Sequence, residues 1–116
     1  MWSGWKIIVE FADRKLAELC SDERKARKRW PEWDRLKRRL ATLLAVDTLA
    51  DMALVPGRCH PLTGDRSGQW ALDLWGSWRL VVEPAEDPLP LQPDGSLDSS
   101  RVRRVRILEV VNYHGR

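Results

Sequence analysis

The sequence predicts one α+β domain in which an N-terminal strand and two helices pack on one face of a mainly antiparallel sheet. Three observations carry this. A short β-branched run opens the chain, apolar residues then recur at helical spacing, and from Pro56 onward the period shortens to two with turn dipeptides between the runs. The 116 residues suffice for one modest core without covalent staples. Hydrophobic residues at 43% and charged residues at 32% fit a folded rather than a disordered chain. Seven Trp against one Phe and one Tyr assign much of the core burial to large aromatics.

Residues 5–11 (WKIIVEF) read as the first strand. Asp13 is placed to cap a helix that runs to about Cys20, with Leu16, Leu19 and Cys20 on one face. The charged stretch 21–29 either extends this helix or links it to the next. Pro31 suits the first turn of the second helix, and Glu32 sits near its positive end. Trp33, Leu36, Leu40, Leu43 and Leu44 then form an apolar face opposite one crowded with Arg and Lys. Pro56-Gly57 and Thr63-Gly64-Asp65 signal turns. Residues 69–75 and 78–83 alternate on either side of Gly76-Ser77, which reads as a hairpin turn. Simple pairing across that turn puts Arg79 on the face of Leu72, Leu74 and Val81, whereas a bulge or longer turn reverses it. Residues 84–100 hold four of the seven prolines and are expected to form an exposed connection that need not be ordered. Strand character returns over residues 101–111.

The formal charge of +3 understates how the charge is arranged. Residues 24–39 carry nine basic side chains and two acids, a net +7, while the remainder sums to −4. A second cluster comprises Arg101, Arg103, Arg104 and Arg106. Segregated positive charge suits a polyanion such as RNA, and it equally describes a solvated helix face. The N-terminus lacks the pattern of a signal peptide and no apolar run approaches membrane-spanning length, so a cytoplasmic protein with no membrane partner is expected. Cys20 and Cys59 then read as reduced, structural thiols. With His60 and His114 they lack the close spacings of a zinc site, so neither metal nor cofactor is expected.

The chain has two histidines, His60 and His114, each near arginine, and His114 follows the only tyrosine, Tyr113. RNA carries its own nucleophile, the 2′-hydroxyl. A protein can cleave the strand by aligning that hydroxyl with the leaving 5′-oxygen and supplying a proton acceptor, a proton donor and positive charge. Histidine serves either proton role, Tyr can order the hydroxyl or stack on a base, and Arg can clamp phosphate.

Residues 60–70 (HPLTGDRSGQW) resemble the HPLKGDRxGxW segment of the HigB branch of RelE-like toxins. Ser77-Trp78-Arg79-Leu80 resembles that family's NWRI segment, and Asn112-Tyr113-His114 its terminal DYH. Three segments in the right order over residues 57–114 carry the resemblance. It implies a RelE-like fold over residues 1–116, with residues 84–100 as an insertion. It further implies a ribosome-dependent mRNA endonuclease, partnered by ribosome and mRNA and silenced by a HigA-like helix-turn-helix antitoxin through which operator DNA could be bound. Carried over by position, His60, Arg79, Tyr113 and His114 are the catalytic candidates. Arg79 is assigned to the scissile phosphate and Arg66 to phosphate or to orienting His60, and the two histidines share the acid and base roles. Lys37, Arg38, Arg104 and Arg106 are further RNA-binding candidates, and Asn112 is a supporting one. Two departures stand out: Thr63 replaces a Lys of the motif, and Asn112 replaces an Asp that could stabilise an imidazolium by charge. Two other functions compete. One is a ParE-like toxin that poisons gyrase without catalysis, and the other is an RNA-binding module with weakened catalysis.

Overall fold

A computed structural model describes residues 6–113. Strand β1 spans Ile8–Phe11, three helices follow as α1 (Arg14–Ser21), α2 (Glu23–Arg29) and α3 (Trp33–Ala45), and four strands complete the order as β2 (His60–Pro61), β3 (Trp70–Asp73), β4 (Trp78–Pro84) and β5 (Arg104–Asn112). Asp13 caps α1 as its residue type predicts, its carboxylate accepting from the Lys15 amide at 2.8 Å. The charged stretch neither extends α1 nor links it to the next helix. Asp22 adopts an extended conformation that closes α1, and its side chain caps α2 by accepting from the Lys25 amide at 3.2 Å. One residue thus ends one helix and starts the next, and two expected helices become three. Pro31 lies ahead of α3 rather than inside its first turn.

The five strands form one sheet in the order β1-β5-β4-β3-β2. The first strand pairs parallel with the last, and every other pairing is antiparallel. Trp33, Leu36 and Leu43 of α3 join Leu16, Leu72, Leu80, Val82, Val105 and Ile107 in one buried cluster, which places the helices on one face of the sheet. Trp70, Trp75 and Trp78 pack at the margin of this core, and the rings of Trp75 and Trp78 stack at 5.4 Å.

Two irregularities decide what the opposite face presents. Asp73 pairs with Arg79, so five residues (74–78) separate the paired positions, and Arg79 falls on the face opposite Leu72 and Leu80. In β5 the register slips, with Val82 opposite Ile107 but Val81 opposite Glu109. The extra residue, Leu108, inverts the alternation, so that Arg104 and Arg106 before it and Glu109 and Val111 after it share one face.

The proline-rich connection is ordered. Leu91 bridges Leu97, Asp98 caps a short turn at Ser99–Arg101, and fully buried Val102 accepts from the Leu49 amide at 3.0 Å. Among the described residues no helix is long and apolar enough to cross a membrane.

Candidate functional site

The helix-free face of the sheet collects most of the sequence-derived candidates. His60, Ala71, Val81 and Glu109 register side by side across β2 to β5, and Asp73, Arg79 and Val111 form the next row. Ala71 and Val81, on this face, are fully buried yet stand apart from the core cluster. Arg79 is held low on the sheet, with 18% of its side chain exposed. Its Nε lies 2.9 Å from Asp73 Oδ1, and its guanidinium carbon is 5.6 Å from the centre of the Tyr113 ring. Asp73 also accepts from Arg58 through Oδ2 at 2.8 Å. One carboxylate therefore serves two guanidiniums, and this corner keeps a net positive charge.

The imidazole of His60 stands beside that corner. Its Nδ1 is 2.8 Å from the Arg58 carbonyl oxygen. A carbonyl can only accept, so Nδ1 donates, and the neutral ring presents the Nε2 lone pair as a proton acceptor. The backbone that aims it is unusual. Gly57 at φ 119° and Arg58 at φ 46° turn the chain into β2, and the Arg39 side chain would crowd any Cβ at Gly57. The Tyr113 hydroxyl is buried and has no hydrogen-bond partner among the described residues.

Elsewhere on this face the charges cancel. Arg66 pairs with Glu109 and donates to Gln69 at 2.9 Å. Arg106 pairs with Glu83 at 2.8 Å and Glu10 at 3.1 Å, and Arg104 lies 3.4 Å from Glu10. The hydrogen bond that Arg106 donates to Glu83, followed by the field of Glu10, raises the pKa of Arg106 above its ordinary value. Three candidates lie elsewhere: Lys37 pairs with Glu23 at 3.0 Å on the helical side, Arg38 is exposed on α3, and Asn112 shares the face of Trp78, where it accepts from the Ser77 hydroxyl. His114 falls outside the described residues.

No family model matches this chain, and no curated protein or solved structure matches it significantly.

Among the described residues no group of three or more His, Cys, Asp or Glu is arranged to hold a metal. Burial pushes the thiols of Cys20 and Cys59 up to about 11, which leaves both unreactive near neutrality. An apolar groove of about 420 Å³ between α1, α3 and β1, lined by Val9, Phe11, Leu40 and Leu44 among others, lies on the helical side, away from His60 and Arg79. Sequence reasoning missed Arg58, Asp73 and Glu109. Asp73 carried a signal, being polar at the same alternation step as Ala71. Glu109 carried none, because only the bulge brings it to this face.

Proposed function

We propose that this chain is a RelE-like toxin of the HigB type, a cytoplasmic endoribonuclease that cleaves mRNA on the ribosome and is restrained by a HigA-like antitoxin. The observation that carries the reading is the net-positive corner of Arg58, Asp73 and Arg79, with the His60 imidazole beside it and the Tyr113 ring against Arg79. The ordered motifs HPLTGDRSGQW, SWRL and NYH support it independently. In the proposed reaction His60 Nε2 takes the proton of a 2′-hydroxyl. That oxygen attacks the adjacent phosphorus, the bond to the 5′-oxygen breaks, and His114 returns a proton to the leaving oxygen. The products are a 2′,3′-cyclic phosphate and a 5′-hydroxyl. Arg79 offsets the charge that builds on the phosphorane, and no metal enters the scheme.

A second reading, a non-cleaving RNA binder, is favoured by one observation: Asn112 stands where the resembled motif has an Asp that could stabilise an imidazolium by charge. Translating ribosomes separate the two. Codon-phased cleavage by the wild-type chain, lost in His60→Ala, is the result expected of the enzyme. Ribosome association with intact mRNA supports the binder, and gyrase-dependent DNA breaks point instead to a ParE-like poison.

A further inference from the structure

Positive charge on this protein is distributed unevenly once its internal partners are counted. On the sheet face nearly every guanidinium meets a carboxylate, whereas on the helical side the acids are used up quickly. Glu23 serves both Arg27 and Lys37, Asp34 serves Arg27, and Asp22 is occupied in capping α2. The hydrogen bond from Arg27, then that from Lys37, lowers the Glu23 pKa, in keeping with its full engagement. Arg24, Lys25 and Lys28 are exposed and have no carboxylate partner among the described residues. Arg29, next in line, lies over the Trp30 ring at 5.6 Å.

The helix dipole accounts for Lys28 and Arg29 in the last turn of α2, but not for Arg24 and Lys25 in its first. Arg24 and Lys28, like Lys25 and Arg29, are like charges four residues apart, a spacing that weakens a helix of only seven residues. We infer that the outer face of α2 is a docking surface for the phosphodiester backbone of nucleic acid, separate from the sheet site. The four-residue step places cations about 6 Å apart along the helix, comparable to neighbouring phosphates on one strand. A membrane fits poorly, because interfacial binding needs apolar side chains to insert. The exposed large hydrophobic residues, Ile8, Leu44, Leu54, Leu89 and Leu91, all lie off α2. A protein partner would likewise want an aromatic or aliphatic anchor there. Only the choice of RNA as the natural ligand rests on the function proposed above. The surface reads charge, carries no base-edge readout, and supplies salt-sensitive affinity while the sheet supplies chemistry.

The test measures binding without cleavage. Fluorescence anisotropy with a 2′-O-methyl RNA hairpin and with duplex DNA of equal length gives the slope of log affinity against log salt for the full chain. The triple variant R24Q/K25Q/K28Q is compared with K6Q/R14Q/R101Q, which loses the same charge from cations that already have carboxylate partners. Each phosphate contact contributes about 0.9 to the slope on a duplex. The α2 triple is therefore expected to reduce it by about 2–3 and the control triple by less than 1. A reduction on either arm supports the surface, and the arm bound more tightly identifies its source. Equal reductions in both triples, or no change in the α2 triple, overturn the inference. So does binding to equimolar phosphatidylcholine–phosphatidylserine vesicles that the same triple abolishes. Because the RNA hairpin lacks a free 2′-hydroxyl, loss of cleavage cannot imitate any of these results.

Discussion

Replacing Tyr113 with Phe separates the stability of this protein from its proposed chemistry. The tyrosine hydroxyl is buried without a hydrogen-bond partner among the described residues. An unsatisfied buried polar group costs about 1–3 kcal/mol. Phe keeps the ring, and with it the contact to the Arg79 guanidinium at 5.6 Å. Tyr113→Phe should therefore stabilise the fold, by about 1 kcal/mol at the lower end of that range. With an unfolding entropy of about 2.1 cal/mol/K per residue, this chain unfolds with about 0.24 kcal/mol/K, and the midpoint rises by about 4 °C. Calorimetry of the two proteins in one buffer measures the shift. If the hydroxyl orders the 2′-hydroxyl of RNA, the same variant should lose about 100-fold in cleavage rate on translating ribosomes. A fall in the midpoint would mean the hydroxyl has a partner after all. A rise with unimpaired cleavage would refute its part in the reaction.

Asp73→Asn frees Arg58 and Arg79 from their shared carboxylate. Both pairs are partly screened by solvent, so the expected cost is about 1 kcal/mol in urea unfolding, while affinity for RNA should rise several-fold; weaker binding would show that Asp73 is needed to position Arg79. Cys20 and Cys59, their thiols pushed from 9.0 to about 11 by burial, should hold about 100-fold less thiolate at pH 8 than unperturbed thiols. Mass spectrometry should accordingly find native alkylation by iodoacetamide far slower than in urea, and equal rates would sink this. Hydrogen bonds from Arg27 and then Lys37 lower the Glu23 pKa beneath its ordinary 4.5. Its stabilisation is present above that value and fades as pH falls through the lower folded one. Glu23→Gln should thus flatten the acid limb of stability below about pH 4.5 in urea titrations, and an unchanged limb contradicts the pairing.

What the chain reveals in advance follows the range of the interactions involved. Local signals were legible: the Asp13 cap, the apolar face of Trp33, Leu36 and Leu43, and the alternation of β3 and β4 each depend on neighbours a few residues away. Asp22 was present as a cap signal too, but the charge of residues 21–29 masked a break between two short helices. Interactions between distant segments were not legible. Nothing local in residues 8–11 specifies parallel pairing with β5, and nothing in the run around Leu108 marks it as the bulged residue. That bulge alone decides that Glu109 meets Arg66. The length of the β3–β4 turn likewise decides the face of Arg79, which alternation left open between two registers. His60, Arg66, Arg79 and Tyr113 were named from the sequence, but the carboxylates that hold the arginines were not.

The place of β5 bears on how the molecule comes into being. The last of the described strands lies between β1 and β4, and Ile8 pairs with Arg104, 96 residues further along the chain. Until residues 104–112 have emerged from the ribosome, β1 has no neighbour and β4 lacks one of its two. Val105 and Ile107, wholly enclosed in the finished core, are also absent until then. Residues 104–112 should therefore have emerged before folding can finish, and a message cut short upstream of this strand would yield chains with sticky open edges, disposed to clump or be degraded.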